Sequence, residues 1–143
     1  MKINGFNSVQ VIVADLEKSR HFFEDFLMLE NTGSNPACYH FGEIGPDIYL
    51  KEIPDAVADP NQPGYHFRHI GFEVERLEQL IDRSVNFGFD CFQMNHDGTT
   101  IPVPNSKSDL SKMPEEVIFI RDFDNNLWEF VEKDRSLPML FER

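Results

Sequence analysis

Cysteine is scarce. The 143 residues hold two, Cys38 and Cys91, far apart and in no metal-binding or redox spacing. Both are expected as small buried residues of a reduced, cytoplasmic protein. Basic residues are also few: 13 Lys and Arg stand against 25 Asp and Glu, for a net charge of −12. Nucleic-acid recognition draws on clustered cations, so the charge argues against a polyanion partner, and an anionic membrane surface is disfavoured for the same reason. Long apolar runs are missing too. The first residues, MKINGFNSVQVIV, contain none long enough for a signal segment or a span.

What is present suits one soluble domain of ordinary composition, 41% apolar and 27% charged. A chain this long buries about two-thirds of its unfolded surface, enough for a real core. Fourteen Phe suggest a core or groove lined with rings.

The most informative stretch is EEVIFIRDFDNNLWEFVEK, Glu115 to Lys133. Two apolar runs, Val117–Ile120 and Leu127–Val131, flank Asp122-Phe123-Asp124-Asn125-Asn126. Asp and Asn bond back to their own backbone, and Asn tolerates the left-handed conformation of a tight turn, so two strands and a turn are predicted. Glu129 lies between Trp128 and Phe130. A carboxylate there either faces solvent or lines a site.

Earlier in the chain, Val9, Val11 and Val13 alternate as in a strand. Asp15 offers a helix N-cap, and Leu16, Ser19, Phe22, Phe23, Phe26 and Leu27 predict an amphipathic helix over 16–29. Strands are expected near 29–32, over Ala37 to Glu43 and over Asp47 to Ile53, then a connector. The pattern restarts with a strand over Arg68 to Val74. A helix follows over Arg76 to Phe87, with Leu77, Leu80, Ile81 and Val85 inward and Gly88 as its C-terminal cap residue, and then a strand over Phe89 to Met94.

An offset of 61 lays Ser8–Val13 on His69–Val74 and Leu16 on Leu77; in the last strands the offset becomes 80, pairing Tyr49 with Glu129. The difference of 19 is about the length of a polar stretch at 95–114, read as an inserted loop and a possible lid. The expectation is a single domain over 1–133: module one at 5–54, a connector at 55–65, module two at 66–133, and a tail at 134–143. Strand alternation assigns faces. Valines cover the first helix, and Trp128 and Phe130 cover the second. The opposite surface then carries Gln10, Tyr49, Lys51, His69, Glu73 and Glu129.

These residues carry a resemblance. VQVIVADLEKSRHFF, RHIGFEVERLEQL and FIRDFDNNLWEF, in that order over about 5–133, resemble the vicinal-oxygen-chelate superfamily of glyoxalase I, bleomycin- and fosfomycin-resistance proteins and extradiol dioxygenases. Phe123 stands where that family prefers Pro, and Asn125 where it prefers Gly. The resemblance implies an α+β, glyoxalase-like fold: two βαβββ modules whose mixed sheets form a cupped groove, in a homodimer. It also implies metal-ligand positions on the first and last strand of each module, here Ser8, Tyr49, His69 and Glu129.

Two of these four suit a divalent metal such as zinc, nickel, iron or manganese. Ser8 keeps its proton at neutral pH, and Tyr49 ligates only as a costly phenolate. Catalytic zinc takes three protein ligands, and non-haem iron two His and a carboxylate. His69 and Glu129 are therefore an incomplete metal pair, a hydrogen-bonded pair, or a metal-free acid–base pair. Ser8, Gln10, Tyr49, Lys51 and Glu73 are candidate ligand-binding residues. Lys51 and Arg121 are the cations available to an anionic substrate, although strand-edge charges commonly face water. His21, His40 and His96 read as surface, strand-face and loop residues. The expected function is small-molecule binding with no cofactor, the alternative being a metal-dependent lyase (lactoylglutathione lyase-like) or dioxygenase with an unusual ligand set.

Overall fold

The valine alternation does form a strand, β1 (Ser8–Val13), with Val11 and Val13 buried and Gln10 and Ile12 exposed. In the computed structural model, which describes residues 1–34, 37–41, 45–95, 97–103 and 117–132, the chain divides into two units, Met1–Ala58 and Asp59–Arg143. The tail at 134–143 and most of the expected loop, 104–114, lie outside the described residues.

In the first unit, β1 leads into α1 (Leu16–Arg20), whose N-cap Asp15 accepts from the Lys18 amide at 3.1 Å. The predicted helix over 16–29 is corrected here. After Arg20 the chain widens into a π-helical segment, His21–Phe26, closed by a hydrogen bond from the Leu27 N–H to the Phe22 carbonyl. Met28 then turns left-handed, with φ of 57°, and ends it. Phe22, Phe23 and Phe26 are all buried, and Phe23 stacks on Tyr39 at 4.9 Å. The strands are β2 (Asn31–Ser34), β3 (Ala37–Tyr39) and β4 (Asp47–Glu52), giving a sheet of order β1-β4-β3-β2 in which β1 and β4 run parallel. Here β3 ends at Tyr39, short of the expected Glu43.

The second unit repeats this plan. β5 (His69–Val74) leads to α2 (Leu77–Phe87), then β6 (Cys91–Met94), β7 (Thr100–Pro102), β8 (Val117–Arg121) and β9 (Leu127–Glu132). The sheet order is β5-β9-β8-β6-β7, with β5 parallel to β9. Strand β7 lies within the stretch read as a loop and pairs with β6. Phe72 stacks on Trp128 and Phe130 on the helix side of the sheet, as the alternation predicts. Gly88 caps α2 at φ of 79°. Val85, expected inward, is 53% exposed. The buried stripe of α2 is Leu77, Leu80, Ile81 and Ser84, with Val85 beyond its edge. The Ser84 hydroxyl donates to the Ile81 carbonyl at 2.7 Å, which lets a polar residue hold that place.

The repeat is carried by register. Ser8 pairs with Asp47 through to Val13 with Glu52, and His69 with Leu127 through to Val74 with Glu132. The sequence offsets of 61 and 80 convert one ladder into the other at every step. They also convert a cap that sequence reading missed. The Leu16 amide donates to Glu52 Oε2 at 2.7 Å, and the Leu77 amide to Glu132 Oε2 at 3.2 Å. In each unit the carboxylate ending the last strand satisfies an open N–H at the helix N-terminus, where negative charge is favoured.

The turn from β8 to β9 hangs on Asp122. Its Oδ1 accepts from the amides of Asp124 and Asn126, both at 2.9 Å, and its Oδ2 from the Trp128 indole at 3.0 Å. Asn125 takes the left-handed place at φ of 61°, so the Asn standing for the family's Gly fits the turn. Phe123 is second in the turn closed by the Asn125 amide on the Asp122 carbonyl, a place open to most residues besides Pro. Burial pushes the Asp122 carboxyl up to about 6, against the opposite pull of its donors. Replacing Asp122 by Ala strands three donors, at about 1–3 kcal/mol each when buried. Asp122→Ala is therefore expected to lose about 3 kcal/mol or more in denaturant unfolding, and Asp122→Asn, which keeps one oxygen, clearly less.

Candidate functional site

Both candidate catalytic residues lie in the second unit. β5 presents His69, Gly71 and Glu73 on the face away from α2, and β9 presents Glu129 on the same face, directly opposite Gly71. Gly71 leaves the space that the carboxylate fills: a Cβ there would lie 3.1 Å from Glu129 Oε1. The other oxygen, Oε2, lies 3.0 Å from His69 Nε2. Phe119, paired with Glu129 on β8, sets its ring edge-on to the imidazole at 5.2 Å and stacks on Phe92. Phe92, Phe119, Leu127 and Val131 on this face are buried, yet His69 and Glu129 keep 24% and 20% side-chain exposure. The pair is half-sunk in an aromatic setting and still reachable from water.

The imidazole has an acceptor at each nitrogen. Nδ1 faces the His66 carbonyl at 3.2 Å, and Nε2 faces Glu129. A neutral imidazole carries one N–H and satisfies one of these; the imidazolium satisfies both. Consistently, the Glu129 hydrogen bond raises the His69 pKa, with desolvation opposing it. His66 thus takes part through its backbone, from a short 3-10 turn (Tyr65–Phe67).

The corresponding positions of the first unit carry different chemistry. Tyr49 on β4 donates its hydroxyl to Asp47 Oδ2 at 3.2 Å, and the other Asp47 oxygen meets His40 Nδ1. Cys38 lies across the ladder from Tyr49. Bonds to Cys38 and Asp47 push the Tyr49 phenol upward, while His40 and Tyr49 hold the Asp47 carboxyl down. This His40–Asp47–Tyr49 chain was not foreseen. Asp47 two residues before Tyr49 was the available signal, but His40 joins only through the β3–β4 register. Ser8, Gln10 and Lys51 are exposed on the same face of this sheet, and Glu73 is exposed on β5. His21, expected at the surface, is exposed and bonded to Asp25 at 2.6 Å. His96 lies outside the described residues.

The family model described as the glyoxalase/bleomycin resistance protein/dioxygenase superfamily matches residues 5–130. The chain belongs to this superfamily. Solved structures of its fold agree over nearly full length. The fosfomycin resistance protein FosX from Listeria monocytogenes, complexed with Mn(II) and sulfate, is 21% identical with a TM-score of 0.68, covering 99% of this chain and 98% of its own. TnmS3, an antibiotic binding protein from Streptomyces sp. CB03234, is 12% identical with a TM-score of 0.61, covering 92% and 98%. An integron cassette protein from the Halifax Harbour sewage metagenome is 19% identical with a TM-score of 0.60, covering 90% and 97%. No curated protein matches the chain. No described helix is long and apolar enough to cross a membrane.

Some structures of this fold hold a divalent metal, FosX with Mn(II) among them, and among the described residues the donors do not complete a site for one. His69 Nε2 already faces Glu129 and Nδ1 faces the His66 carbonyl, so a metal on His69 would have to displace one of these partners. Tyr49 is a neutral phenol already donating to a carboxylate, and Ser8 offers a hydroxyl. Among the described residues no group of three or more His, Cys, Asp or Glu is gathered to hold a metal ion.

The ion pair sets a pH dependence. A His whose pKa is raised on folding contributes stability that is full below its unfolded value, about 6.5, and is lost as pH rises through the folded value. The stability of the unaltered chain minus that of Glu129→Gln should therefore be largest on the mildly acidic side and shrink toward alkaline pH. Asp122, ionising near 6, is common to both and cancels. Thermal melts across this range check the sign.

Proposed function

We propose that the protein binds a small organic molecule on the face of the second sheet that carries His69, Phe119 and Glu129, with the His69–Glu129 ion pair as its polar anchor and without a complete metal site. The observation that carries this reading is the pairing itself, because both nitrogens of His69 are engaged with oxygen acceptors. Glu129 Oε1, over Gly71, remains as an acceptor for a ligand hydroxyl or amine. His69 fixes the carboxylate in place, and Phe119 and Phe92 supply ring surface. A charged hydrogen bond with half-excluded water is a strong, directional contact. Among fold relatives, TnmS3 is an antibiotic binding protein, and this chain is proposed to work in that manner.

The second reading is a metal-dependent lyase or dioxygenase. It is favoured by the same two residues, which occupy both ligand positions of their module, and by the Mn(II) of FosX. Under either reading a cytoplasmic homodimer remains the proposal.

Metal analysis separates the two. Protein purified without chelator and then offered zinc, nickel, iron(II) or manganese should retain no stoichiometric metal. A thermal-shift screen of uncharged and cationic small molecules should give hits that weaken on Glu129→Gln. Stoichiometric metal lost on Glu129→Gln would establish the second reading and overturn the first.

A further inference from the structure

A cavity of about 540 Å³ lies in the second unit, lined in part by Ser84, Val85, Phe89, Phe92, Pro102 and Arg121. Neither His69 nor Glu129 lines it. Its volume is within the range of about 300–1,000 Å³ usual for small-molecule sites.

Arg121 ends β8 with its guanidinium 4.3 Å above the Phe92 ring centroid. Burial pushes the Tyr65 phenol up, against a hydrogen bond from the Arg121 guanidinium and its charge. Arg121 Nε is shielded from water and has no hydrogen-bond partner among the described residues. Nor does a described carboxylate lie within ion-pair distance of it, although the chain as a whole carries an excess of acids. A buried cationic N–H without an acceptor costs free energy that an anionic oxygen would return, and a planar fork suits a carboxylate best. The surrounding rings and aliphatic side chains suit a flat apolar body. Asp90 also lines the cavity and is exposed, which disfavours a second anionic group on the occupant.

We propose that this cavity binds an aromatic monocarboxylate, with its carboxylate on Arg121 and its ring system against Phe89. The cavity shares Phe92 with the His69–Glu129 face but is lined by neither His69 nor Glu129, and the acid-to-amide preference tests it apart from that pair.

Titration of the full chain with naphthoate and with uncharged naphthamide, followed by amide NMR shifts, tests it. Naphthoate should bind at least tenfold tighter than naphthamide, with shifts centred on Cys91, Phe92 and Arg121. Arg121→Gln should abolish that preference. Val85→Trp, at a half-exposed helix position that tolerates a large side chain, should fill the cavity and weaken both probes about tenfold or more. If Arg121→Gln fails to fold, the acid-to-amide ratio and Val85→Trp still decide. Equal affinity for the two probes, no saturable binding, shifts centred on His69 and Glu129, or full affinity in Val85→Trp would each overturn the proposal.

Discussion

An imidazole and a carboxylate held 3.0 Å apart govern what the second sheet can do. The pair depends on three local facts. Gly71 leaves room for the carboxylate, the β5–β9 ladder sets the two strands in parallel register, and the His66 carbonyl takes the second imidazole proton. A buried ion pair is stable only if its remaining hydrogen-bonding groups are met. Here the turn before β5 meets one of them. The same closure makes each residue a poor ligand for anything that must first displace the other.

The two units share a skeleton and differ in chemistry. Parallel outer pairing, ladder register and the Glu cap on the helix N-terminus are reproduced at offsets of 61 and 80. These features concern backbone geometry and the satisfaction of helix N–H groups. The exposed faces are freer. One holds a His40–Asp47–Tyr49 chain centred on a carboxylate, the other a His–Glu ion pair among rings. The positions that the repeat pairs with His69 and Glu129 hold Ser8 and Tyr49 in the first unit.

Most of the fold was legible because period-two alternation and turn chemistry act locally. The valines of β1, the facing of Trp128 and Phe130, and Asn125 in the left-handed place of its turn all follow from a few neighbouring residues. The meeting of His69 and Glu129 was legible through the repeat. The π-helical segment was not, because apolar spacing over six residues fits a wider turn as well as a 3.6-residue one. Strand β7 was hidden by the polar stretch around it, and Val85 lies one step outside a stripe that Ser84 completes. The His40–Asp47 contact depends on a hairpin register that no single stretch encodes.

The central claim concerns two protons on one ring. The ¹⁵N shifts of the His69 imidazole, recorded in metal-free protein near neutral pH and assigned by loss in His69→Gln, report them directly. Both nitrogens should be protonated, and the titration midpoint should lie above 6.5. A single-proton tautomer at neutral pH, with a midpoint at or below 6.5, would contradict the account and return Nε2 to the pool of metal ligands.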